Sequence, residues 1–366
     1  MVITIEKKEF IEAIHTAARF AERRSATLPA LSGIAIVAAN DQIKLRATNL
    51  ETGIDLTVPG SVRSEGVIVV PAALVRDIAS SLTGSGSVTI EHAGDAAVLS
   101  TGAGKSTLKT LSAEDFPGIP FPEVKDTQFT IEGTLLKDLI GTVVGCASAS
   151  TVRPELASVF LSGEGGTLKA VASDSFRLAE KKRAAPKTSK PFSVLVPAKN
   201  AADILQTLPD DELTITLDEH QCAFSWPTGT VTTRLVAATY PDYTQIIPKS
   251  FTAEATILKK DFEAALRRTA VFSDSFQKIK LMLLADEKKL SLSSKNTEVG
   301  ESSETIPASV SGESLELSFN HRYLSTPLPL IASENLSLQF AGIGRPLVMC
   351  GAGDASFLYL VMPMNQ

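Results

Sequence analysis

The sequence predicts an α+β protein assembled from three similar units, each with two helices packed on antiparallel sheet. Three observations carry this prediction. An amphipathic helical pattern occurs three times, each copy leads into a pair of apolar runs around a polar turn, and a second helix opened by Val-Pro returns in register. Length agrees: 366 residues exceed one ordinary core, since a domain usually holds about 100–150 residues.

The first helix of each unit is read from apolar spacing. Phe10, Ile14, Ala17, Ala18 and Ala21 mark the first copy. Leu136, Leu139, Ile140, Val143 and Val144 mark the second, and Phe262, Ala265, Leu266 and Thr269 the third. Recurrence at three and four residues gives one buried stripe and an opposite face for solvent. Each helix is followed by a hairpin signal: IAIVAANDQIKLRATN, VFLSGEGGTLKAVASD and KLMLLADEKKLSLSSKN.

The second helix is announced by Val70-Pro71 in the first unit, with Leu74, Ile78 and Leu82. Val196-Pro197 announces its counterpart, with Ile204, Leu205 and Leu208. Proline suits a first helical turn, where the N–H has no partner within the helix. Pro71 to Pro197 spans 126 residues and Pro117 to Pro241 spans 124, which sets the period. These two units close on TLKTLSAEDFPGIP and TTRLVAATYPDYTQIIP; the third, more divergent, closes on FLYLVMPMNQ. Its second helix holds Pro327 and Pro329. An interior proline costs about 3 kcal/mol, so that helix is expected to be short, shifted or kinked. The period divides the chain into domains 1–124, 125–250 and 251–366, joined at PFPEV and IIPKS. Three like domains in series make half of a closed ring if two copies join head to tail.

Composition narrows the function classes. Hydrophobic residues at 44% and charged residues at 21% describe a soluble globular chain, and aromatics at 6% leave the cores to Val, Leu, Ile and Ala. No run approaches the roughly 18 apolar residues of a membrane span, and MVITIEKKEF lacks a long apolar core; a cytoplasmic protein is expected. A net charge of −6 and a pI near 5.4 argue against a uniformly basic nucleic-acid coat. They leave room for cations gathered on one inner face. Cys146, Cys222 and Cys350 form no Cys-x-x-Cys pair, so buried free thiols are expected in place of a zinc or redox centre.

The segment STGAGKST imitates a phosphate-binding loop, yet its first glycine would stand where the chain has Leu99. A hairpin turn with a basic tip at Lys105 is the better account. His15, His92, His220 and His321 are isolated from one another, no Gly-x-Ser-x-Gly elbow occurs, and Asp210-Asp211 reads as a turn. No catalytic constellation, metal site or cofactor is expected. Arg19, Arg23, Arg24, Arg76, Lys199, Arg267 and Arg268 lie on or beside the helices. Gathered on one surface, they would offer phosphates a positive track, without aromatics for base stacking. Two other readings stand beside this one: a nucleotide-dependent enzyme using Lys105, and a repeat scaffold that binds proteins but no DNA.

Taken in order, TLPALSGIAI (27–36), ASDSFRLA (172–179), YPDYTQIIPK (240–249), SFN (318–320) with Tyr323, and YLVMPM (359–364) resemble the β-subunit family of bacterial DNA polymerase III, the DNA sliding clamps. The resemblance covers essentially the whole chain. It implies the DNA clamp fold and a head-to-tail dimer ring with helices inside and sheets outside. The ring is a processivity factor on duplex DNA, not an enzyme, and an ATP-driven clamp loader opens it. It implies a pocket for polymerase and repair-protein peptides built from Leu156, Ser173, Ser175, Phe176, Arg177, Leu178, Pro241, Gln245, Ile246, Phe276, Asn320, Tyr323, Met362, Pro363 and Met364. The dimer contact would join Lys105, Ser106 and Leu108 to Val271 and Phe272, and Arg24, Arg76, Arg153 and Lys199 would meet phosphates. The family often has Gly-His where this chain has Ser175-Phe176, and a basic residue at Gln245. A greasier, less charged pocket is therefore expected.

Overall fold

The computed structural model describes residues 1–23, 26–122, 127–184 and 190–364. Two compact units emerge. One comprises Met1–Leu136, Pro186–Phe192 and Lys199–Ala237; the other comprises Lys137–Ala185, Ser193–Ala198 and Ala238–Gln366. These limits cut across the middle repeat because strands pair across repeat boundaries.

The helices are α1 (Lys7–Ala17), α2 (Ala72–Ser81), α3 (Gly133–Val144), α4 (Ala198–Leu205), α5 (Lys259–Ala270) and α6 (His321–Ser325), two per repeat. The predicted stripes are buried in full on α5 (Phe262, Ala265, Leu266 and Thr269) and in part on the other two first helices. Phe10, Ile14 and Ala17 are buried on α1, which ends before Ala18 and Ala21. Leu136, Leu139, Ile140 and Val143 are buried on α3, with Val144 half-buried. The stripe of α2 differs from expectation. It buries Ala72, Val75 and Ala79, while Leu74 is 46% exposed. α2 packs against α1, and Ser80 Oγ lies 3.2 Å from His15 Nε2 across the pair. The buried stripe of α2 is thus built mainly of small residues, and Leu74 turns outward. α6 is short, as its prolines require: five residues, then a 3₁₀ turn at Leu328–Leu330 whose Leu330 N–H donates to Pro327 O.

The three predicted hairpins form. Asn40 and Asp41 carry φ of 51° and 56° between Gly33–Ala39 and Gln42–Thr48, the left-handed pair that a two-residue turn needs. Gly165 and Gly166 do the same between Ser158–Glu164 and Thr167–Ser173. The third joins Lys278–Leu284 to Lys289–Asn296. STGAGKST is likewise a hairpin, Ala96–Thr101 pairing with Gly104–Lys109, so no helix follows its glycines.

Among the described residues the strands form four antiparallel sheets. In the first unit, one sheet orders Gly60–Ser64, Val2–Glu6, Ser87–Ala93, Ala96–Thr101 and Gly104–Lys109. The other orders Thr127–Glu132, Glu212–Leu217, Gln221–Trp226, Gly229–Arg234, Thr52–Val58, Gln42–Thr48, Gly33–Ala39 and Gly66–Pro71. In the second unit, a nine-stranded sheet orders Phe192–Pro197, Ser158–Glu164, Thr167–Ser173, Arg177–Ala184, Phe357–Val361, Leu347–Gly351, Asn335–Phe340, Ala253–Leu258 and Ser309–Gly312. A four-stranded sheet orders Gly300–Pro307, Lys289–Asn296, Lys278–Leu284 and Leu315–Asn320. Repeats are thus joined by backbone pairing. Gly229–Arg234 of the middle repeat pairs with Thr52–Val58 of the first, and Phe357–Val361 of the last pairs with Arg177–Ala184 of the middle.

Candidate functional site

Around the second joint the chain makes a loop whose geometry follows from Asp174. Its Oδ1 accepts from the N–H of Phe176 at 2.9 Å and of Arg177 at 3.0 Å, and Ser173 Oγ accepts from Ser175 N–H at 3.2 Å. This side-chain-capped turn holds Ser175 at φ 77°. Phe176 is thereby turned to solvent, 60% exposed, its ring stacked on Tyr323 with centroids 6.4 Å apart.

Arg177 turns inward and ties the loop to its surroundings. It donates to Asp174 Oδ2 at 3.0 Å, to Thr326 Oγ1 at 2.7 Å and to Gly145 O at 3.0 Å, and lies over the Tyr323 ring at 4.8 Å. Burial works against its charge, yet Tyr359, Asp174 and Cys146 hold its pKa above the ordinary arginine value. Cys146 beneath it is fully buried, and burial pushes the thiol up to about 12. It is an inert packing residue at neutral pH.

Below the loop lies an apolar floor of Val171, Leu178, Tyr243, Val348 and Leu360, against which Ile247 and Met362 pack. Its one buried carboxylate, Glu180, accepts from Tyr243 Oη at 2.5 Å and pairs with Lys182 Nζ at 2.7 Å. Burial and the Glu180 charge both push the Tyr243 hydroxyl pKa up, so it stays a donor. The C-terminal segment is pinned at two points: Met362 N–H donates to Phe176 O and Met364 N–H to Ser318 O, each at 2.8 Å. Asn320 caps α6 by accepting from Arg322 N–H, which leaves Tyr323 beside the loop.

The tail, the linker and a turn enclose a groove of about 440 Å³, lined by Gln245, Ile246, Ile247, Pro248, Lys249, Ser250, Arg345, Pro346 and Met362. Of the residues expected in the pocket, Ser173, Ser175, Phe176, Arg177, Leu178, Asn320, Tyr323 and Met362 gather around this joint, and Gln245 and Ile246 line the groove. Leu156 is buried at the end of the loop that precedes Ser158–Glu164, and Pro241 is exposed. Phe276 is 71% exposed on the turn before Lys278, whose strand pairs with Asn320. Sequence reasoning missed Ile247, Tyr243, Lys249, Arg345 and Pro346. Tyr243 had a signal, an aromatic in YPDY; Arg345 had none, because a turn residue far along the chain carries no mark of what it faces. In the groove Gln245 donates its amide to Asp242 at 2.9 Å, and Arg345 and Lys249 are the cationic residues of the lining.

The remaining expected residues lie elsewhere. Lys105 and Ser106 are exposed on the edge strand Gly104–Lys109, whereas the Leu108 side chain is 2% exposed and belongs to its own core. Inward Leu108 follows from strand alternation and leaves only its backbone to the edge. Val271 is 73% exposed, and Phe272 lies beside Gly300. Arg76 is exposed with Asp77 at 3.2 Å, Arg153 pairs with Glu155 at 3.0 Å, and Lys199 is exposed on the first turn of α4. Arg24 lies outside the described residues. Arg19, just past α1, donates to Gln206, just past α4, which brings those two helix ends together. Arg267 and Arg268 are held by Glu263 and Glu304, at 2.8 and 2.7 Å. Among the described residues no helix is long and apolar enough to cross a membrane.

Comparison with known proteins gives one answer along the chain. Family profiles for the DNA polymerase III β subunit match successively: the N-terminal domain over residues 1–120, the central domain over 130–242 and the C-terminal domain over 244–365. The beta sliding clamp of Synechococcus elongatus is 30% identical, covering 92% of each chain. That of Pseudomonas putida is 30% identical across the full length of both. Among solved structures, the Pseudomonas aeruginosa sliding clamp bound to griselimycin superposes with a TM-score of 0.95 at 28% identity, covering both chains completely. The Bacillus subtilis clamp gives 0.93 at 26%, covering 100% of this chain and 99% of that one.

Proposed function

Because the chain belongs to the DNA polymerase III β-subunit family and is a DNA sliding clamp, we propose that two copies close head to tail through the joint already used twice within one chain. A single observation carries this reading. At each internal joint, the last strand of one repeat pairs with the fourth strand of the repeat before it. Among the described residues, one strand of each kind is left at a sheet edge: Gly104–Lys109 and Gly300–Pro307. An unpaired edge invites another strand, and the exposed apolar Val271 and Val299 flank the second edge.

The register follows from the repeat. Gly53 and Leu178, each four residues after its capping residue Asn49 or Asp174, face Thr232 and Leu360. The same count from Asn296 gives Gly300, and Thr232, nine before Pro241, corresponds to Leu108, nine before Pro117. Leu108 of one copy would then face Gly300 of the other. We place the domain limits at 124/125 and 250/251, supported by the period and the linkers.

In this reading the ring holds duplex DNA by topology, so each phosphate contact at Arg24, Arg76, Arg153 or Lys199 can be weak and sliding is preserved. The groove beside Met362 takes apolar peptides of the polymerase and other partners; Met362 is flexible enough to suit several. An ATP-driven loader opens the ring in the cytoplasm, and the clamp itself catalyses nothing and needs no cofactor. Negative-stain electron microscopy tests the closure. Rings with an opening of about 20 Å, the width of duplex DNA, are expected. Open arcs that persist at high protein concentration would overturn it.

A further inference from the structure

We propose that the groove beside Met362 selects peptides that carry a carboxylate next to their apolar anchor, with Arg345 and Lys249 as the residues that read it. This rests on the groove being the peptide site. Ile246, Ile247, Pro346 and Met362 give it apolar walls, polar groups line the rest, and two cationic residues join the lining from separate segments. Lys249 comes from the linker. Arg345 comes from the turn between Asn335–Phe340 and Leu347–Gly351, where its N–H donates to Gly342 O at 3.2 Å. Gly342 and Gly344 at φ 114° and 70° let that turn fold back, which fixes where Arg345 starts.

Neither of these two is neutralised. Arg177 is engaged by Asp174, Arg183 by Asp138 at 2.6 Å, Lys182 by Glu180 and Arg153 by Glu155. Arg322 on α6 has no ion pair among the described residues but does not line the groove. Asp242, the carboxylate of the linker, is occupied by Thr244 and by Gln245. Among the described residues, Arg345 and Lys249 have no ion-pair partner. In a chain with net charge −6, two unpaired cations on one apolar groove complement an acidic–apolar peptide and disfavour a basic one.

The test uses full-length protein and fluorescence anisotropy with two labelled synthetic peptides. Both carry one Leu-Phe anchor; one flanks it with Asp and Glu, its twin with Asn and Gln. At low salt the acidic peptide is expected to bind about fivefold tighter, the scale of one or two rim ion pairs. Arg345→Gln with Lys249→Gln should abolish the difference in affinity between the acidic peptide and its twin. Equal binding of the two by the unmodified protein, or a preference that survives the double substitution, overturns the charge inference while the peptide site stands. If neither peptide binds, the peptide site itself falls, and this inference with it.

Discussion

Glu180 and Tyr243 show how a charge can sit in the floor of the joint. The carboxylate is 4% exposed and takes its hydrogen bond from Tyr243 Oη at 2.5 Å, with Lys182 at 2.7 Å and Lys169 at 3.8 Å completing its shell. Removing the hydroxyl strands a buried acceptor, which costs about 1–3 kcal/mol. Tyr243→Phe is therefore expected to lower the unfolding free energy by that much, seen as a lower urea midpoint with an unchanged slope. An unchanged midpoint would mean that the lysines alone satisfy Glu180. Asp174 is a second instance, since one side chain both caps the loop and holds Arg177. Neither role is visible in ASDSFRLA read alone, because Gly145 and Thr326, the other acceptors of Arg177, are far away in sequence.

At the scale of elements, the proposed closure rests on the two edge strands. A strand with free N–H and C=O groups gives register as well as affinity, and a slip of one residue turns every side chain to the other face. With Leu108 facing Gly300, Ser106 of one copy stands opposite Ser302 of the other. A chain carrying Ser106→Cys with Ser302→Cys should form covalent dimers on oxidation, seen as a doubled mass on non-reducing gels, and each single variant should not. No cross-link in the double variant, where the dimer is intact by sedimentation, would discard this register. α6 makes a related point. Pro327 and Pro329 predicted a short helix and five residues form, because proline's missing donor acts locally whatever surrounds it.

For the whole molecule, the proposed ring lets an acidic chain hold DNA weakly and still be retained by closure. Reversing the charges of Arg24, Arg76 and Lys199 is expected to cut polymerase processivity several-fold at moderate salt while leaving the dimer intact. The salt dependence should flatten, since fewer counterions are released. Unaltered processivity would favour a scaffold that binds proteins but not DNA.

The sequence by itself determined the repeat, most of the buried stripe of α1 and that of α5, the three hairpins and the hairpin at STGAGKST. Each is a short-range pattern: spacing of apolar groups, left-handed turn residues, proline at a helix start. Tertiary structure alone decided which strand of one repeat pairs with which of the next. It also set the inward Ala72 and Ala79 in place of Leu74, and the arrival of Arg345 and Lys249 at one groove. These depend on contacts between segments far apart in the chain, and local pattern carries no information about the partner that a distant turn will meet.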